Sequence, residues 1–194
     1  MRKGVEEGDA FGYTTDSQGV GQKPIVERVN FRALPTGIDN SNVIMARALL
    51  QKDQDTGAQV VIIGGGQIGL EVAELLAERG KQITIVEMLA EVGHDMAFLP
   101  KLPLMINLRD YGVKILTKAK AKAIQPDGII VERMGKEEFI EADSIIIAVG
   151  AKSENNLETE LRGVIPLLYS VGDCKTPGNI LDAIHEGFKV GLEV

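Results

Sequence analysis

The stretch from Gln59 to Glu87, QVVIIGGGQIGLEVAELLAERGKQITIVE, constrains the fold of this chain more than any other. It opens with Val60-Val61-Ile62-Ile63, a run too short for a helix and β-branched throughout, which reads as a strand buried on both faces. The run passes directly into Gly64-Gly65-Gly66-Gln67-Ile68-Gly69, a G-x-G-x-x-G hexapeptide standing between a strand and a helix. Apolar residues then recur with helical spacing at Ile68, Val72, Leu75 and Leu76, and Arg79-Gly80 supplies a last-turn cation and a C′ glycine. A second strand, Ile83 to Val86, ends in Glu87.

Each part has a physical role in holding a dinucleotide. Gly64 permits the tight turn out of the strand, Gly66 lacks the Cβ that would keep a pyrophosphate from the backbone, and Gly69 lets the helix approach the sheet. The first-turn N–H groups have no partner within the helix and point at the phosphates. Glu87 follows Gly69 by 18 residues, at the strand tip where a carboxylate accepts hydrogen bonds from an adenosine ribose. A carboxylate there repels a 2′-phosphate and no arginine follows directly, so the pattern favours NADH over NADPH. Glycine-rich turns also join strands to helices without binding anything; the strand, helix, second strand and acidic tip around this one favour a real site.

Composition sets the outer bounds. A chain of 194 residues has room for one ordinary domain or slightly more, and a net charge of -7 argues against general nucleic-acid binding. The single cysteine, Cys174, cannot form an intrachain disulfide or a C-x-x-C pair, and two histidines are too few for an obvious zinc site. With no signal-like N-terminal run and no apolar stretch of membrane-spanning length, a reducing cytoplasm is the expected compartment.

Around the central stretch the chain divides into four parts. Residues 1–31 have no sustained period and read as loosely ordered, with one short strand at Ile25 to Phe31. Residues 32–58 form a linker in which Asp39-Asn40-Ser41-Asn42 offers N-caps for a short helix, Val43 to Leu50. Residues 59–150 form a Rossmann-like α/β domain. In it, Met88 to Met96 is a loop whose His94-Asp95 pair favours a solvated loop over a proton relay, having no nucleophile or metal beside it. Pro100 and Pro103 mark a helix start, Leu102, Met105 and Ile106 form its core-like face, and Gly112 stops it before a strand at Val113 to Leu116.

From Ala119 the period changes to two. Runs at 119–125, 129–133 and 137–142, separated by Pro126-Asp127-Gly128 and Met134-Gly135-Lys136, predict a β-meander in place of a helical crossover. Ile145 to Gly150 is a second fully apolar strand, which puts Val149 and Gly150 at the carboxyl edge of the sheet. Residues 151–163 read as loop and Leu167 to Val171 as a strand ending in Gly172-Asp173. A helix then starts near Asn179, with Leu181, Ile184, Phe188 and Leu192 on one face. Ala183, Gly187 and Gly191 make a small-residue stripe suited to a neighbouring helix or a flat ligand, and the spacing favours the helix.

From about Pro35 to its end the chain resembles the pyridine-nucleotide-dependent flavin oxidoreductases, in particular the C-terminal portion of the 2,4-dienoyl-CoA reductase, trimethylamine dehydrogenase and enoate reductase group. The matching motifs are GIDNSNV (37–43), VVIIGGGQIGLEVAELLAERG (60–80), ITIVEM (83–88), IIIAVGAKSENN (145–156) and YSVGDCKTPGNILDAIHEGF (169–188). The resemblance implies a nicotinamide domain inserted into an FAD-binding domain. NAD(H) would be held by the 64–69 loop (Gly64, Gly65, Gly66, Gln67, Ile68 and Gly69) and by Glu87 and Met88 at the tip of the second strand. It implies that Glu71 lies near the nicotinamide, although spacing alone equally allows a solvent-facing glutamate. It implies that Gly172-Asp173 meets the flavin ribityl chain, with residues 151–194 as the C-terminal part of the FAD domain.

The sequence departs from that pattern in carrying a single G-x-G-x-x-G, where the family has an earlier one for the ADP half of FAD. The N-terminal barrel with its FMN and the iron–sulfur cysteines are also missing. The expectation is the NADH-binding portion of a larger NADH:flavin oxidoreductase, passing hydride to a flavin whose site is incomplete here and inactive by itself, with no residue serving as acid, base or nucleophile. A non-catalytic NAD(H)- or ADP-binding module, completed by a partner chain, is the second reading. Retention of Gly172-Asp173 counts against it, because a sensor has no use for a flavin motif. The missing flavin and barrel domains, or a subunit carrying them, are the expected partners, and an uncovered flavin-domain face would promote homo-oligomers.

Overall fold

The computed structural model describes residues 34–52 and 54–194, together with a short antiparallel pair, β1 (Thr14–Thr15) and β2 (Gly21–Gln22). The expectations for residues 1–31, including a strand at Ile25 to Phe31, otherwise lie outside the described residues. The chain forms two compact units, one ending at Gly150 and one containing Ala151–Val194.

The first unit is an α/β domain. Its elements are β3 (Val43–Met45), α1 (Ala46–Lys52), β4 (Gln59–Ile63), α2 (Gln67–Glu78), β5 (Gln82–Val86), α3 (Phe98–Asp110), β6 (Lys114–Leu116), β7 (Ala119–Gln125), β8 (Gly128–Arg133), β9 (Lys136–Glu141) and β10 (Ser144–Ile147). A five-stranded parallel sheet runs in the order β3-β10-β4-β5-β6, and β7-β8-β9 forms a separate antiparallel meander. The predicted Rossmann-like sheet with a meander is therefore observed.

The sheet follows from its residues. Val60, Val61, Ile62 and Ile63 are all buried, as are all four residues of β10, so these central strands are covered on both faces. Burying each such aliphatic side chain is worth roughly 1.5–3 kcal/mol. The core continues through Leu70, Val72, Ala73 and Leu76 of α2, Ile83 and Ile85 of β5, and Leu104 and Leu108 of α3. Both long helices of this unit end alike. Gly80 N–H donates to Ala77 O and Lys81 N–H to Leu76 O after α2; Gly112 N–H donates to Arg109 O and Val113 N–H to Leu108 O after α3.

Several expectations are corrected. Residues Val43–Met45 are a strand, and the helix begins only at Ala46, because Val43, Ile44 and Met45 pair with Ile145, Ile146 and Ile147. Asn40 and Asn42 cap no helix: their Nδ2 groups donate to Ile124 O and to Gln125 O and Pro126 O, tying the lead-in segment to the meander. Helix α3 starts at Phe98 with Pro103 inside it. Its core face is Leu104 and Leu108, Met105 packs at the margin, and Leu102 and Ile106 are exposed. Ile68 is likewise exposed, while Gly69 and Leu70 of the same turn are buried, so the inward face of α2 lies one to two residues further along.

In the second unit, residues 151–163 include a helix, α4 (Asn156–Leu161). Leu167 to Val171 forms no strand; the segment runs as coil into a single 3-10 turn, Gly172–Cys174. Its apolar run finds no partner strand among the described residues. Helix α5 (Ile180–Glu193) starts as expected at Asn179, whose side chain accepts from Asp182 N–H while Asp182 accepts from Asn179 N–H, a reciprocal capping box. Leu181, Ile184, Phe188 and Leu192 are all exposed.

Candidate dinucleotide site

Parallel pairing aligns the ends of the central strands. Ile63 is in register with Val86 on one side and Ile147 on the other, so the chain leaves β4, β5 and β10 at one carboxyl edge. Gly64 N–H continues the β5 ladder to Val86 O at 2.9 Å, and Ala148 N–H continues that of β10 to Ile63 O at 2.8 Å. The glycines sit between these anchors. Gly64 has φ +106°, and a Cβ on it would stand 2.3 Å from Ala148 O. A Cβ on Gly69 would stand 2.0 Å from Gly64 O, so only glycine lets the first turn of α2 lie against the loop.

Glu87 is almost sealed, at 5% exposure. Its Oε2 accepts from Gly65 N–H at 2.6 Å and its Oε1 from Leu89 N–H at 2.7 Å. The carboxylate thus fixes the glycine loop to the tip of β5. Each oxygen keeps a second lone pair for a further donor such as a ribose hydroxyl. Met88 follows on the surface, and Val149 and Gly150 lie beyond β10 on the same edge. Glu71 is exposed on α2, accepting from Gln67 Nε2 at 2.8 Å.

The N-terminus of α2 is uncapped by its own residues: Gly66 is the N-cap and no acidic residue occupies the first turn. The acceptor arrives from the loop after β5. Asp95 takes Gln67 N–H on both carboxylate oxygens, at 2.9 and 3.1 Å. The His94-Asp95 pair lies in an exposed loop, as expected, and Asp95 additionally accepts from the helix, whereas His94 joins no such contact among the described residues. The Asp95 carboxylate thus supplies the acceptor that the first turn of α2 lacks from its own residues. A Cβ on Gly66 would come within 2.9 Å of Asp95 Oδ2, so the bare Cα and the N–H group face one position. The site fits a dinucleotide pyrophosphate. Sequence reasoning missed Asp95 because the contact spans a loop; the available signal was a helix start with neither a capping side chain nor a first-turn carboxylate.

The other predicted site residues, Gly172 and Asp173, lie in the second unit. Gly172 N–H donates to Glu186 Oε2 of α5 at 2.8 Å, and that bond, aided by Lys175, holds the Glu186 carboxyl below its ordinary range. Asp173 Oδ1 accepts from Gly178 N–H at 3.2 Å. The turn is thus closed on its own helix. Among the described residues no group of His, Cys, Asp and Glu could hold a metal ion, and no helix is long and apolar enough to cross a membrane.

The parallel sheet, the glycine turn and the acidic strand tip define an α/β protein of the Rossmann-like, nucleotide-binding class of folds. Residues 20–187 match the family model described as pyridine nucleotide-disulphide oxidoreductase, and the chain belongs to that family. An NADH oxidase of Thermoanaerobacter brockii is 32% identical over 155 residues, which is 79% of this chain and 23% of that protein. A cinnamate reductase of Clostridium sporogenes is 33% identical over 164 residues, 78% of this chain and 23% of that one. Among solved structures, a complex of 2-naphthoyl-CoA reductase with 2-naphthoyl-CoA is 30% identical with a TM-score of 0.74, covering 82% of this chain and 24% of that one. The chain therefore spans about a quarter of the length of these relatives. The cofactors of the family are NAD(H) and FAD.

Proposed function

We propose that this chain is the NADH-binding portion of a flavin-dependent oxidoreductase of the 2,4-dienoyl-CoA reductase, trimethylamine dehydrogenase and enoate reductase group. In this reading residues 59–150 are the NAD domain and residues 151–194 the C-terminal part of an FAD-binding domain. The observation that carries it is the N-terminus of α2, which has no capping side chain or first-turn carboxylate of its own, beside a bare Gly66 and the Glu87 carboxylate. Gln67, Ile68 and Gly69 N–H groups would face the pyrophosphate, Gly64 and Gly65 shape the turn, and Glu87 with Met88 would meet the adenosine ribose. Glu71 would orient the nicotinamide end, with Val149 and Gly150 as the opposite wall. When bound, NADH supplies the hydride that a flavin accepts.

Gly172 and Asp173 would meet the flavin chain, but the sequence has no second glycine fingerprint for its ADP half. In this chain alone the residues do not fit a whole FAD. Turnover then requires further chain or a subunit to complete that site. Relatives named for cinnamate and for 2-naphthoyl-CoA share this segment, which supports an acceptor chosen elsewhere in the protein.

Calorimetric titration of the chain with NADH, NADPH, ADP and FAD tests the reading. NADH is expected to bind about tenfold or more tightly than NADPH, because the Glu87 carboxylate would face the 2′-phosphate. Binding of ADP alone would favour the non-catalytic module, and binding of none of the four would remove the nucleotide reading.

The apolar face of α5 supports the placement of residues 151–194 in a larger domain, since Ile180 is 81% exposed, Phe188 65% and Leu192 72%. Without its cover the purified chain is expected to self-associate through this face. Sedimentation across a concentration series should show a rising mass, reversed by Phe188→Glu; a constant monomer mass would count against it.

A further inference from the structure

The loop joining β5 to α3 occupies the same place that the nucleotide reading requires for phosphate. Asp95 brings a formal negative charge to Gln67 N–H through both of its oxygens, over the bare Cα of Gly66. The loop is held there by contacts of its own. Gly93 N–H donates to Gly65 O at 2.6 Å, the buried Val92 packs where a Cβ on Gly65 would stand, and Lys101 Nζ of α3 donates to Val92 O at 2.5 Å. Val92 and the Glu87 side chain both lie against Gly65, and Glu87 is 5% exposed. One short loop thus reaches both the first turn of α2 and the glycine turn that Glu87 holds.

We propose that Asp95 is an internal competitor for the dinucleotide: its carboxylate mimics a phosphate at the start of α2, and the nucleotide must displace it to bind. The proposal rests on the dinucleotide reading and adds to it an autoinhibitory contact. A pyrophosphate and the Asp95 carboxylate are both anionic, so they cannot share Gln67 N–H and the surface of Gly66 at close range. The affinity of the resting chain is therefore reduced by the fraction of time in which Asp95 is withdrawn.

The test compares the full chain with Asp95→Ala and Asp95→Asn, titrated with NADH and separately with inorganic pyrophosphate. A charge-assisted hydrogen bond is worth enough for its removal to tighten NADH about tenfold in Asp95→Ala. Asp95→Asn retains an acceptor for Gln67 N–H without the charge and should fall between the two; it also serves if the alanine variant folds poorly. The slope of affinity against salt should steepen in both variants, because one repelling charge is gone. Equal or weaker NADH binding in both variants, with the parent chain binding normally, would overturn the competitor role and leave the dinucleotide reading standing. Failure of all three proteins to bind NADH would overturn both.

Discussion

Gly69→Ala is expected to cost about 3 kcal/mol of stability, at the upper end of what overpacking usually costs. The added methyl would stand 2.0 Å from Gly64 O, a backbone atom. Neither neighbour can yield cheaply: Gly64 N–H is pinned to Val86 O, and a Cβ on Gly64 would itself run into Ala148 O. Relief would require α2 to lift off the sheet, uncovering Leu70, Val72 and Leu76, and would pull the first-turn N–H groups away from the phosphate position. The urea midpoint should fall sharply, and NADH binding should be lost in whatever fraction remains folded. Gly187→Ala is the contrast, since its Cβ meets nothing within 4 Å and it lies inside α5. That change should be neutral or stabilise by up to about 1 kcal/mol. Equal effects of the two substitutions would show that the glycine of the fingerprint carries no packing constraint.

The second large effect belongs to Glu87. Glu87→Ala would leave Gly65 N–H and Leu89 N–H without their acceptor in a site only 5% exposed, and each buried unpaired donor costs roughly 1–3 kcal/mol. Glu87→Gln is the sharper probe. One amide oxygen can serve one of the two N–H groups, while the amide NH₂ is then turned toward the other, a donor against a donor. A loss of about 2 kcal/mol is expected even for this near-isosteric change. The NADH preference over NADPH should narrow at the same time. If Glu87→Gln loses nucleotide selectivity at full stability, the carboxylate is a ribose ligand only; if it loses stability at unchanged selectivity, it is a strut for the glycine loop only.

What could be read from the sequence was local. The β4–α2–β5 unit is legible because a β-branched run, a glycine turn and a helical period lie end to end, and the meander because its turn chemistry sits between alternating runs. What was not legible depended on partners distant in the chain. Val43–Met45 stands behind the cap-like run Asp39-Asn40-Ser41-Asn42, where a helix would start, and forms a strand because Ile145–Ile147 lies beside it. Leu167 to Val171 has a strand's pattern without a strand's partner. The inward face of helix α3 is not legible because Leu102 and Ile106 are as apolar as the Leu104 and Leu108 that meet the core. Of the candidate site, the glycines and Glu87 follow from spacing, whereas Asp95 reaches Gln67 across a loop whose path no period reveals.

The meander of the first unit ends in two edges, and they are guarded by different means. On the β7 side the lead-in chain lies along the strand, with Thr36 N–H donating to Lys122 O and Ile124 N–H to Thr36 O. On the β9 side the strand is KEEFIE, in which Lys136, Glu137, Glu138 and Glu141 face water. Rows of charge deter a foreign strand from docking, and the outer strands of the parallel sheet, β3 and β6, are three residues each. Among the described residues of this unit, growth by strand addition finds only short or charged edges. Self-association of this unit should therefore not proceed by extending its sheets, which leaves the exposed face of α5 in the second unit as the surface for contact.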